Sequence, residues 1–449
     1  MSQLTLTAED RARLETQYPA TFQRSVWQRW GLLIGLVATL AYLVFCYFFF
    51  NIGPAFQNGK WDRAAIYVQD WYSWRAQPRL RFGDDGTITP TWSSRGQYAE
   101  GATIDWLTPH DDGSFTVTYD GAGNRLDVTP TLVTAYVDGA AYPIAIVPDL
   151  VTAPPAAPAA IEQDGAKVLV NFGFAGQAEI RHNQVYVQRR FLGWANFLFD
   201  PQSVFWHRSF PDLVQLAFSP ERLNPAVSNA ELMLRDFLGN RAWQHGDIFS
   251  KLLQTLVMAF VGTLFATLVA FPLAFVAARN ITPNRAANWL MKRLFDFIRS
   301  IDMLIWALFF TRGFGPGPIP GIAAIFFTDA GALGKVYAEA LENVDDRQRE
   351  GVKSVGASPA VVNRYGVVPQ VLPVFVSQSL YFWESNTRSA TVIGAVGAGG
   401  IGLKLLEAMG TNSDWDKEAY MVLLILLVVF VFDNFSNALR SRLIGTNRH

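Results

Sequence analysis

Six apolar runs set the terms on which this chain can fold. A helix needs about 20 mostly apolar residues to cross a bilayer, because each residue advances it by only about 1.5 Å. Residues 31–50 meet that length outright, as do residues 252–278, where Pro272 predicts a kink tolerated by packing against other helices. The third run, 295–310, carries Asp296, Arg299 and Asp302. The fourth, 319–334, is short and rich in glycine. Residues 371–396 and 420–432, extended to 439, complete the set. The sequence therefore predicts a mainly α transmembrane bundle of about six helices. The first run reads as an uncleaved anchor. Its apolar core is long for a signal peptide, and Asn51-Ile52-Gly53-Pro54 follows it in place of a small-x-small cleavage site.

Composition adds a second, polar domain. Half of the 449 residues are hydrophobic, yet 17% are charged and the mean hydropathy is only +0.15. That is too apolar for a wholly soluble protein and too polar for one buried in lipid throughout. The net charge of −1 gives no general attraction to nucleic acid. Cys46 is the single cysteine, so no disulfide within the chain can support an extracytoplasmic domain.

Positive charge orients the helices. Arg11, Arg13, Arg24 and Arg29 precede the first run. Arg279, Arg285, Lys292 and Arg293 follow the second, and Lys335, Arg347, Arg349, Lys353 and Arg364 follow the fourth. Arg440, Arg442 and Arg448 close the chain, whereas the short loops on the other side hold only Arg312, Lys404 and Lys417. Both termini and the segment 335–369 are expected on the cytoplasmic side of the membrane. The domains expected are a tail over 1–30, the helix 31–50, an extracytoplasmic insert over 51–249, a core over 250–440 and a tail over 441–449.

The insert has its own grammar. Asp85-Gly86, Asp112-Gly113, Asp120-Gly121, Asp138-Gly139 and Asp164-Gly165 are turn signals. The runs 114–119, 132–137, 167–172 and 184–188 alternate between them, as strands of a small antiparallel sandwich or barrel would. This β-rich character extends to about residue 210. Ser228-Asn-Ala-Glu231 is then a capping-box signature for a connecting amphipathic helix.

Little here resembles catalysis. Gly397-Ala-Gly399-Gly-Ile-Gly402 satisfies G-x-G-x-x-G, but it follows a membrane run instead of a buried strand, so close helix packing and a tight turn explain it better. The chain has no phosphate loop, and His110, His182, His207 and His245 lie far apart in sequence. No cofactor and no metal are expected in this chain.

Between the fourth and fifth runs lies a charged segment with a glycine hinge. Glu350-Gly351-Val352, then Gly356 and Gly366-Val367-Val368-Pro369, resemble at matched spacing the EAA loop of ABC importer permeases. The residues 333–345, Gly356-Ala357-Ser358, 364–373, 384–391 and 394–402 are similar to the phosphonate importer permeases in particular, as are Phe260-Val-Gly-Thr263 and Ala277-Ala-Arg-Asn280. That resemblance covers residues 250–438 and not the insert, so the chain looks like a long form of the family. Asp302-Met303 stands where the family has Pro-Glu.

The resemblance implies a type I ABC importer fold and alternating access. It implies an ABC ATPase dimer that binds ATP and Mg, a second permease of the same or a related chain, an extracytoplasmic substrate-binding protein, and lipid around the helices. It assigns ATPase coupling to Arg349, Glu350, Gly351, Lys353, Gly356, Ala357, Ser358 and Pro369. Arg299, Asp302, Glu384, Asn386 and Arg388 are candidates for the translocation pathway, since ionisable and polar groups in membrane helices face a bundle interior or a polar cavity. Glu384 and Arg388, four apart on one helix face, could instead neutralise each other. The function expected is import of phosphonate or a related phosphorus oxyanion. A permease for another small solute, or a scaffold or sensor that has lost transport, is the alternative.

Overall fold

The computed structural model describes residues 13–14, 16–17, 26–59, 67–83, 85–92, 104–120, 123–147, 150–411 and 415–444. It divides into two compact units, Met1–Ile66 and Tyr67–His449. The first contains helix α1 (Val26–Phe49) and the short α2 (Ile52–Gln57). Residues Trp30–Phe49 of α1 are apolar enough and long enough to cross a membrane. Arg11, Arg24, Gly121 and Arg448 lie outside the described residues.

Among the described residues, the second unit opens with thirteen strands in two antiparallel sheets. One sheet holds β4 (Leu107–Pro109), β5 (Phe115–Thr118), β6 (Arg125–Val128), β7 (Leu132–Val137), β8 (Ala140–Val147) and β9 (Leu150–Thr152) in chain order. The other runs β10 (Ile161–Asp164), β11 (Lys167–Asn171), β12 (Gly176–Arg181), β13 (Gln184–Leu192), β2 (Arg79–Phe82) and β3 (Ile88–Thr91), with β1 (Ser73–Ala76) on the far part of β13. Alternation decides which face is buried: Val133, Ala135 and Val137 point inward from β7, and Val168 and Val170 do so from β11. The β7–β8 turn shows why Asp-Gly is required, since Asp138 and Gly139 take φ of 51° and 82°. Tyr119 stacks on Phe172 across the sheets at 4.1 Å and donates to the Gln177 carbonyl at 3.1 Å.

A buried charge cluster closes the start of this domain. Asp70 pairs with Arg75 at 2.9 Å and accepts from Arg190 of β13 at 3.0 Å. Burial pushes the Asp70 carboxyl above its ordinary range against the pull of both arginines. The cluster thus orients the strands more than it stabilises them, but losing the carboxylate strands two cations. Asp70→Ala is expected to destabilise the domain by about 3–5 kcal/mol. An unchanged thermal midpoint of the purified chain would rule that out.

After α3 (Phe210–Ala217) and α4 (Asn229–Leu238), whose Ser228 cap accepts from the Glu231 amide at 3.2 Å, the bundle begins. It comprises α5 (His245–Ala277), α6 (Arg285–Ser300), α7 (Met303–Phe314), α8 (Pro318–Glu342), α9 (Asp346–Ser354), α10 (Pro359–Val362), α11 (Val368–Ile393), α12 (Gly400–Thr411) and α13 (Trp415–Ile444). In α5, Gly262, Ala266, Ala270 and Ala274 recur every fourth residue and are all buried. Small side chains at that spacing let two helix backbones approach closely. A Cβ on Gly262 would lie 2.7 Å from the Ile325 side chain of α8.

Among the described residues, α1, α5, α8 and α13 are long and apolar enough to cross a membrane, and 359–398 with 400–410, bent by 56°, are so together, as a broken span or a re-entrant loop. The expected third span over 295–310 is not one helix. Asp302 accepts from the Leu304 amide at 2.8 Å and caps a new helix, so the run splits into amphipathic α6 and the short α7. The glycines at 394–402 serve backbone packing. A Cβ on Gly399 would lie 2.9 Å from the Gly317 backbone, while Gly402 abuts the Thr391 carbonyl and Gly400 abuts the Thr255 hydroxyl.

The sandwich meets the bundle through aromatic rings. Trp194 and Phe197 pack on Trp243 and on Tyr420 of α13. His245 donates from Nε2 to the Phe197 carbonyl at 2.7 Å, which leaves Nδ1 to accept from the Tyr420 hydroxyl at 2.8 Å. This contact is at the N-terminal end of α5.

Candidate functional site

The segment singled out by its spacing lies at the opposite end of α5. Its helix, α9, starts at Asp345, whose carboxylate accepts from the Arg347 amide at 3.0 Å. It stops at Gly356, where φ is +80° and the amide donates to the Lys353 carbonyl at 3.0 Å. Among the described residues, no atom lies within 4 Å of a Cβ built on Gly356, so this glycine ends the helix and makes no close contact with them.

No residue of α9 is buried. Glu350, Gly351 and Lys353 are on its exposed side, Val355 just beyond it is 80% exposed, and Ser358 and Tyr365 are exposed as well. Ala357 is half-buried, and Pro369 sits in the first turn of α11 after the π-turn Asn363–Val367. Arg349 differs from its neighbours. It turns inward, pairs with Asp346 at 2.9 Å and donates to the Asn280 carbonyl at 2.8 Å. Asn280 in turn donates to the Leu341 carbonyl at 2.8 Å. Gly366 packs against α9, and a Cβ on it would lie in ordinary contact, 3.4 Å from the Gln348 carbonyl oxygen. The α9 helix is therefore pinned to the ends of α5, α8 and α11 on one side and bare on the other.

The pathway candidates are not brought together. Arg299 is exposed at the end of α6 and pairs with Asp296 at 3.3 Å, while Lys335 reaches the same carboxylate at 2.6 Å. Asp302 is an exposed helix cap. Glu384 and Arg388 do not neutralise each other: Glu384 takes Arg440 at 2.7 Å, and the largely exposed Arg388 reaches Asp433 at 3.7 Å, both on α13. The i,i+4 spacing gave way to partners on a neighbouring helix.

Asn386 alone points into the bundle. It donates to Asp329 of α8 and, at 2.8 Å, to the Thr263 hydroxyl of α5, and all three side chains are buried. One helical turn on, the Thr267 hydroxyl donates to Ser379 at 3.1 Å, and Ser379 shares a hydrogen bond of 2.6 Å with Tyr337. Beside this polar seam, Phe260, Thr263, Thr267, Ser379 and Trp383 line a cavity of about 220 Å3. Asp329 was missed in the sequence, although a lone acid in the apolar run 319–334 is the signal that marks such a group.

Residues 270–445 match the family of binding-protein-dependent transport system inner membrane components. The HtxC permease protein of Stutzerimonas stutzeri, ascribed to phosphite transport, is 40% identical over 195 residues, or 43% of this chain and 69% of that one. The phosphite transport system permease protein PtxC of the same species is 38% identical over 215 residues, 48% of this chain and 76% of its own length. PhnE2 of Escherichia coli (strain K12), named for a cryptic phosphonate transport system, is 41% identical over 121 residues, 27% of this chain and 98% of its own.

Proposed function

Because the chain belongs to the family of inner-membrane components of binding-protein-dependent transport systems, we propose that it imports phosphonate or a related phosphorus oxyanion such as phosphite, driven by a separate ATPase docked on α9. It is a multi-pass importer permease subunit with a type I ABC permease core. The substrate class follows the names of its relatives. The partners are an ATPase dimer, a second permease and a soluble binding protein.

The observation that carries the coupling role is a helix held rigidly on one side and bare on the other. Arg349 and Gly366 fix it to the bundle, while Glu350, Lys353 and Val355 face outward. Geometry also supports the orientation. At about 1.5 Å per residue, the 33 residues of α5 span about 50 Å, more than the roughly 30 Å hydrocarbon layer. The β domain contacts one end of α5 and α9 the other, so they belong on opposite faces of the membrane. The arginines and lysines near α9, including Arg279 and Lys292, make its face the cytoplasmic one and leave the β domain outside. Movement of α9 with the ATPase would reach α11 through Gly366 and Pro369 and switch access of the bundle.

Uptake of labelled alkylphosphonate and of phosphite by cells lacking the gene is expected to return when the intact chain is supplied. If neither is taken up while the partner subunits are expressed, the substrate class is wrong and another small solute must be sought.

A further inference from the structure

The β domain contains a cavity of about 330 Å3 beside the segment that joins it to the bundle. Its lining combines opposite chemistries: Trp74, Trp106, Trp206, Asp105, Arg189 and His207. The Arg189 guanidinium carbon lies 5.3 Å from the Trp106 ring centre and 4.5 Å from that of Phe191. Phe191 is 5.7 Å from Trp74 and 6.0 Å from Trp106, so these rings form one wall. Two lining residues, Asn196 and His207, hold φ of 58° and 60°. Left-handed backbone costs a non-glycine residue about 1 kcal/mol or more, and such residues gather where a site is being shaped. Trp206 holds this geometry by donating to Asn196 Oδ1 at 2.9 Å.

We propose that this cavity binds a small zwitterion carrying an amine and an oxyanion a few bonds apart. The Trp206 indole and the Asp105 carboxylate suit the ammonium. Arg189 and the His207 imidazole suit the oxyanion. A lone oxyanion would meet Asp105, and a lone amine would meet Arg189, so one molecule with both charges satisfies the lining best. The volume is at the lower end for ligand sites, which favours a few heavy atoms. An aminoalkylphosphonate is the member of this class that agrees with the import reading, and the inference rests on that reading for the phosphonate alone. Occupancy would be felt at the bundle, because the same wall is bonded to residues just before α5. Asn240 donates to the Asn196 carbonyl at 2.9 Å, and the Trp243 indole donates to the Ala195 carbonyl at 3.0 Å.

The test is titration calorimetry of the full-length chain in lipid nanodiscs with 2-aminoethylphosphonate, methylphosphonate and ethylamine. The zwitterion is expected to saturate one site at least about tenfold more tightly than either half-molecule. Asp105 is exposed, so Asp105→Asn should fold normally and reduce the zwitterion to the affinity of methylphosphonate. Arg189→Gln should abolish binding of both phosphonates. The inference is overturned if the zwitterion gives no saturable heat, if it binds no better than methylphosphonate, or if both variants bind as the wild type does. Uptake is measured in parallel with the wild-type chain. Uptake without binding removes this inference alone, whereas binding without phosphonate uptake keeps the site and removes the import reading.

Discussion

Cells carrying the Glu350→Ala, Gly356→Asp chain are expected to accumulate labelled alkylphosphonate no faster than cells lacking the gene, with the chain inserted and folded. Both positions are on the bare side of the α9 segment, where no residue of the helix is buried and a Cβ on Gly356 meets nothing. The fold therefore has little to lose. Aspartate at φ +80° costs about 1 kcal/mol and sets a negative charge at the C-terminal end of the helix, where the macrodipole disfavours it. A docked partner has more to lose. Truncating an interface anchor costs about 2 kcal/mol or more, roughly 30-fold in affinity. Two measurements separate the effects: co-purification with the ATPase subunits and the thermal midpoint of the chain. Uptake and ATPase retention at wild-type levels would return α9 to an ordinary solvated loop and favour a scaffold that has lost coupling.

Local patterns made parts of this molecule legible in advance. The alternation of 132–137 predicts a strand with the bounds found, Leu132–Val137, because three inward positions and an Asp-Gly turn agree. The matched spacing around Glu350 singles out a segment that the structure folds as an exposed helix before Gly356. Misreadings arose where a tertiary contact outranked a local one. Glu384 and Arg388 are neighbours on their helix, yet each pairs with α13. The third apolar run has the composition of a span, but Asp302 offers a cap that a continuous helix would waste. Asp70 carries no local signal at all, since its partners Arg75 and Arg190 are joined only when β1 lies on β13. Small side chains recur at four-residue spacing in α5, and Gly262 of that repeat packs against Ile325 of α8.

Asp329→Leu is expected to slow uptake about tenfold, equivalent to ~1.4 kcal/mol, while Asp329→Asn stays close to wild type. Asp329, Asn386 and Thr263 join α8, α11 and α5 at one buried point. Leucine is similar in size but offers no acceptor, so the Asn386 amide keeps only the Thr263 hydroxyl. A buried donor left short of a partner costs about 1–3 kcal/mol, and within membranes the average is nearer 0.6 because side chains find substitutes. Here the seam is enclosed by three helices, which leaves few substitutes and places the cost toward the upper figure. Asparagine retains an acceptor oxygen at the same place. The loss should appear in uptake more than in insertion, because α11 runs from this seam toward Pro369 and the α9 segment, and loosening it uncouples the two. Comparing both variants for uptake and thermal midpoint decides the role. Equal losses in the two would mean that the carboxylate charge itself is used, and a leucine chain that transports and melts like the wild type would show that the seam does not hold the helices.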